Sequence, residues 1–179
     1  SEGREIRGHI EGFGNFTIND DWSWGFRAKR ASDDTYLQRY KISYEDRLES
    51  TAFAQYFTDD IFFDTRVLAF QGLRADDNPD TTPLILPNAR LMWNSNKDDV
   101  LGGSFSLDSE INARYRTEGA QSQRIANSLT YNIPYITSGG HRVNVATRLN
   151  ADFYQVDNDP STTNSSFTQF DGTKARIIP

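Results

Sequence analysis

Through much of this chain apolar and polar residues alternate one by one, in runs broken by turn-forming residues. Such a period of two is decisive, because successive side chains of a β-strand point to opposite faces of a sheet. Between residues 6 and 18 the even positions hold Ile6, Gly8, Ile10, Gly12, Gly14, Phe16 and Ile18. The odd ones hold Arg7, His9, Glu11, Phe13, Asn15 and Thr17, so one face is apolar or small and the other mostly polar. Asn19-Asp20-Asp21 supplies turn chemistry. Trp22, Trp24, Phe26 and Ala28 then alternate with Ser23, Gly25, Arg27 and Lys29. Two later runs, 101–115 and 142–153, are as clean. Leu107, Ile111 and Tyr115 oppose Asp108, Glu110 and Arg114 in the first, and Val143, Val145 and Leu149 oppose Arg142, Asn144 and Arg148 in the second. Weaker strands are expected at 61–73, 84–94 and 124–135. Pro87 and Pro134 each remove a ladder donor and mark an edge, a bulge or a break. Residues 43–57 also carry a helical stripe (Leu48, Ala52, Phe53, Tyr56 and Phe57), and their strand neighbours favour a strand.

The connections between these runs order them further. Short links fall at 19–21, 58–60, 95–99 and 137–140, and longer polar links at 31–43, 74–83, 116–123 and 157–166. The fold expected is all-β, an antiparallel up-and-down meander of about eight strands whose tight turns gather at one end. Outer-membrane β-barrels sort their links in this way, with the short turns periplasmic. A soluble sandwich or small barrel that binds a ligand or partner is the alternative, although Greek-key links would cross between sheets. With short turns periplasmic, the first strand runs towards the periplasm, so an upward strand is expected before residue 1. Arg176-Ile177-Ile178-Pro179 reads as the opening of another apolar strand, and 1–179 as part of a longer chain.

Mean hydropathy is −0.68, and no apolar run approaches the roughly 18 residues a transmembrane helix needs. Barrel strands escape that criterion because half their residues are polar. A net charge of −6 argues against nucleic acid as partner. The absence of cysteine excludes disulfides and thiolate metal sites within the chain. Only His9 and His141 are available for imidazole chemistry, far apart in sequence and without partners at catalytic spacing, so neither an enzyme nor a cofactor is expected. Asp76-Asp77-Asn78-Pro79-Asp80 starts like a calcium loop but lacks the following Gly and distal Glu, and Asp157-Asn158-Asp159 is weaker still. Arg27, Lys29 and Arg30 form a small basic strand end that either is solvated or meets anionic lipid head groups. Trp22, Trp24, Phe26 and Phe105 are expected on the lipid-facing side, with Trp22 and Trp24 at the level of an aromatic girdle; in a sandwich they would be core.

Several short stretches, in order, resemble the lipopolysaccharide-assembly family LptD (organic solvent tolerance protein, OstA), especially its alphaproteobacterial members. They are Asp21-Trp22-Ser23-Trp24-Gly25-Phe26, Ser32-Asp33-Asp34-Thr35-Tyr36-Leu37 and Phe70-Gln71-Gly72-Leu73-Arg74. Pro83 with Leu86-Pro87, Gly102-Gly103, Arg116 with Gly119 and Gln123-Arg124, and the terminal Arg176-Ile177-Ile178-Pro179 follow. The resemblance implies a barrel of about two dozen strands that inserts lipopolysaccharide (LPS) into the outer leaflet of a Gram-negative cell outer membrane. It also implies an LptE-type plug lipoprotein inside the barrel. An LptA-type periplasmic bridge would deliver lipid through a further, periplasmic domain. It carries over no catalytic residue and no cofactor. In such a barrel Arg7, Glu11, Arg27, Lys29, Glu110, Arg114, Arg142 and Arg148 would line the lumen and meet LPS or the plug, with acyl chains kept to the outer-membrane lipid side.

Overall fold

The computed structural model describes residues 8–32, 45–74, 76–95, 102–157 and 172–178. The strands are β1 (His9–Thr17), β2 (Trp22–Ala31), β3 (Arg47–Phe57), β4 (Ile61–Gly72), β5 (Leu84–Asn94), β6 (Ser104–Tyr115), β7 (Gln121–Ile136), β8 (Arg142–Asp157) and β9 (Gly172–Ile178). They form one nine-stranded antiparallel sheet in sequential order, an up-and-down meander. The ninth strand is the apolar segment around Ile177 and Ile178. Among the described residues the only helical element is a 3-10 turn at Pro79–Thr81.

Residues from Arg47 onward form a strand because β3 pairs along its whole length with β4 and over its second half with β2. Its helical stripe is split by the pleat: Leu48, Ala52 and Tyr56 share one face, and Phe53 and Phe57 the other. Pro87 sits at a bulge. Arg66 and Leu68 pair with Asn88 and Ile85, and Asn112 and Arg114 pair with the same two, so β5 carries one residue more than either neighbour. Pro134 lies where β7 has outrun β6, whose pairing stops at Ser104 opposite Asn132, so only β8 accompanies it.

The alternation of short and long links holds for the first four connections and the last two. It fails in the middle, where 95–103 is longer than 116–120. A glycine with positive φ stands just before β6 and another just before β7. Gly102 takes φ 72°, in the left-handed region, and Gly119 takes φ 107°.

The sheet is a single layer. Following the register from β2 to β8 puts Trp22, Trp24, Phe26, Tyr56, Phe63, Leu91, Phe105, Ile111, Ile125, Leu149 and Val145 on one face. No second layer of described residues covers them. Leu129 is 37% exposed, Leu149 46% and Val145 55%, values foreign to the core of a globular domain. Among the described residues five apolar side chains are buried; Ala31, Leu48 and Leu73 cluster at the long-loop end, and Ala113 and Val156 stand apart from them.

Candidate functional site

The apolar face gathers its aromatic rings near the tight turns. Phe16 stacks on Trp24 at 4.5 Å, Trp22 meets Tyr56 at 4.9 Å, and Phe105 stacks on Tyr131 at 4.6 Å. Each pair contributes about 0.5–1.5 kcal/mol beyond its buried area. Gly14 makes room for the first of these clusters, since a Cβ there would lie 2.7 Å from the Phe16 ring and 3.1 Å from the Phe26 ring. Gly25 packs closely on the opposite face, where a Cβ would lie 2.6 Å from the Gly14 carbonyl oxygen and 2.7 Å from the Phe53 ring.

The opposite face is charged. One register row runs Gln55, Asp64, Arg90, Glu110, Ala126, Asp152 and Arg176 across seven strands. Asp64 is its buried member. It accepts from Arg66 Nε at 2.7 Å, Arg66 Nη2 at 3.0 Å and Gln55 Nε2 at 2.8 Å. Arg90 donates to both carboxylate oxygens of Asp108, at 2.7 and 3.1 Å, with Glu110 3.8 Å away. Arg176 donates to Asp152 at 2.8 Å. Opposite charges thus meet across strands, which fixes register and leaves the face strongly polar.

Seven of the eight lining residues expected from the alternation lie on this charged face: Glu11, Arg27, Lys29, Glu110, Arg114, Arg142 and Arg148. Arg7 falls outside the described residues. Lys29 is brought to Glu45 at 3.3 Å and Glu11 at 3.8 Å, Glu110 to Arg90, and Arg148 donates to Thr130 at 3.2 Å. Arg114 and Arg142 stand apart from these pairs. Alternation puts Asp108 and Asp152 on the polar face without singling them out as lining residues, and sequence reasoning missed Asp64, Arg66, Arg90 and Arg176. The i, i+2 spacing of Asp64 and Arg66 was a usable signal, hidden because the charged face of β4 also carries Phe62, Leu68 and Phe70.

Cavities of about 720 and 380 Å³ open on the charged face. The larger sits at the long-loop end, where Arg27, Lys29, Arg47 and Arg74 face Glu45, Asp46, Glu49 and Asp77. Its four basic and four acidic side chains balance in charge. The loops above it are tied together. Arg74 donates to Asp46, and that hydrogen bond and charge raise the guanidinium further above its ordinary range. Asp77 accepts from the Arg74 amide at 3.1 Å. Asn78 caps the 3-10 turn, and the Glu118 amide donates to the Asp80 carbonyl at 2.8 Å. The acidic run 76–80 therefore serves as a loop staple. Among the described residues no group of three or more His, Cys, Asp or Glu is placed to hold a metal ion, and Asn158 and Asp159 lie outside them. His9 opens β1 at the long-loop end and His141 sits in a tight turn at the other, so the two do not meet.

Among the described residues the geometry is that of a single-layer sheet with one charged face and one uncovered apolar face. A family model, LptD (LPS transport system D), matches residues 5–179. The chain belongs to the LptD family. A comparison with curated proteins gives no match. LptD membership brings a role in lipopolysaccharide transport and outer-membrane biogenesis, with lipopolysaccharide as substrate and the Lpt system as its setting. It is a transport and assembly family of the Gram-negative outer membrane, not a family of enzymes.

Proposed function

We propose that residues 1–179 form part of the wall of an LptD barrel, with the charged face turned to the lumen and the apolar face to lipid. The observation that carries this reading is the separation of the two faces on a single layer: ion pairs line one side while Leu129, Leu149 and Phe153 stand uncovered on the other. In water the second face would drive association; in hydrocarbon it is satisfied. The phosphorylated sugar head group of LPS travels through the wet interior past Arg27, Lys29, Glu110, Arg114, Arg142 and Arg148, and its acyl chains stay on the apolar side until insertion into the outer leaflet. Glu11 and the unpaired lining arginines also offer contacts to an LptE-type plug. An LptA-type bridge would supply the lipid from the periplasm. The chain makes and breaks no bond. Trp22 and Trp24 hold the interface level nearest the short turns, where an amphipathic ring is favoured.

Photo-crosslinking amino acids in the intact, membrane-embedded protein test this. Probes at Arg114 and Arg148 are expected to capture lipopolysaccharide or the plug, and probes at Ile125 and Leu149 neither the plug nor the sugar head group. Equal capture from both faces, or capture from the apolar face alone, would contradict the lumen assignment.

A further inference from the structure

We infer that the long-loop half of the β2–β3 seam is a latched opening in the sheet, closed by the side chains of Ser50 and Gln71 where main-chain pairing has stopped. The pairing of β2 with β3 ends at Arg27 opposite Thr51, although both strands run on: β2 continues to Ala31, paired with β1, and β3 begins at Arg47, paired with β4. By contrast β3 and β4 stay paired from Arg47 to Phe57. Continued in register, Lys29 would face Glu49 and Ala31 would face Arg47. The ladder does not form there.

Side chains take its place. Ser50 Oγ accepts from the Lys29 amide at 3.0 Å and donates to the Lys29 carbonyl at 3.0 Å. Gln71, from β4, reaches past β3: its Oε1 accepts from the Ala31 amide at 3.0 Å, and its Nε2 donates to the Ala31 carbonyl at 2.8 Å. Two side chains thus satisfy the four backbone groups that β3 would otherwise hold. The sheet's only buried apolar cluster among the described residues, Ala31, Leu48 and Leu73, plugs the same spot. On the charged side the seam borders the cavity of about 720 Å³ through Lys29 and Glu49. On the other side its flanks are Ala28 and Arg30 from β2 and Leu48 and Ser50 from β3.

A main-chain ladder opens only by breaking many bonds together, whereas this half-seam opens by turning two side chains, each of whose polar groups water can satisfy. The β1–β2 hairpin then swings away from β3 about the paired segment Trp22–Arg27. That the gap joins lumen to lipid rests on the barrel reading above; the latch itself does not.

Amide hydrogen exchange on the intact protein in lipid nanodiscs tests the latch. Lys29 and Ala31 point their amides to the β3 side, as do Gly25 and Arg27 in the paired half, because alternate amides share an edge. In the native protein Lys29 and Ala31 are expected to exchange at least about tenfold faster than Gly25 and Arg27. Ser50→Ala combined with Gln71→Leu is expected to accelerate Lys29 and Ala31 by a further factor of about ten and to leave Gly25 within about twofold. If the double variant fails to fold, Ser50→Ala read at Lys29 and Gln71→Leu read at Ala31 give the same test singly. Uniform protection along β2 that neither substitution changes would overturn the proposal. Exchange at these amides reads the latch whether or not lipopolysaccharide enters the lumen, so its failure and that of the transport reading are distinguishable.

Discussion

Arginine in place of Ile111 is expected to destabilise the membrane-embedded protein by about 2–4 kcal/mol, the penalty for a basic side chain facing lipid near the bilayer midplane of a barrel. Ile111 lies in the middle of the apolar face, between Ala89 on β5 and Ile125 on β7, and is 38% exposed. At that exposure a sheet in water would lose little, because the arginine head group would reach solvent. In hydrocarbon it cannot. The neighbouring Asn112→Arg change, on the charged face, supplies the control and is expected to stay within about 0.5 kcal/mol. Urea-driven unfolding from lipid vesicles measures both. Equal costs for the two substitutions would remove the distinction between the faces.

Removing the Asp64 carboxylate is the second change of comparable size. Asp64 is 8% exposed, the one buried charged residue among those described, and three donors from Arg66 and Gln55 converge on it. Asp64→Ala leaves those donors without their acceptor. The Arg66 side chain is 48% exposed and recovers water, so the cost falls below that of a fully buried pair, at about 2–3 kcal/mol. Asp64→Asn keeps an acceptor for Gln55 and is expected to lose about 1–2 kcal/mol. A double-mutant cycle with Arg66→Ala isolates the ion pair at about 1–2 kcal/mol of coupling. A cost below about 0.5 kcal/mol for Asp64→Ala would mean that water already satisfies these groups.

Much of this architecture was legible in the order of residues. The alternation in β1, β2, β6 and β8 assigns each side chain to a face, since the pleat allows no other arrangement. The break at Gly102 was not legible, because a glycine on an alternating run looks like a small apolar residue until its φ is known. The charge row was hidden for a different reason. It depends on which residues oppose each other across strands, and the β5 bulge shifts that register by one. The latch joins residues 21 and 40 positions apart, beyond any local pattern. Structure in turn explains one of the family-like stretches. In Phe70-Gln71-Gly72-Leu73-Arg74, Gln71 closes the seam, and Gly72 leaves no room for a Cβ beside the Asp77 side chain. Leu73 is fully buried, and Arg74 anchors Asp46.

The most direct test is a cysteine scan of β6, read against labelling of the unsubstituted intact protein. Single cysteines at each position from 107 to 114 of β6, introduced into the intact protein in its membrane, are reacted with a water-soluble maleimide. Labelling at Asp108, Glu110, Asn112 and Arg114, with protection at Leu107, Ser109, Ile111 and Ala113, is the result a lipid-facing apolar side requires. Uniform labelling along β6, or labelling of the odd positions instead, would contradict it.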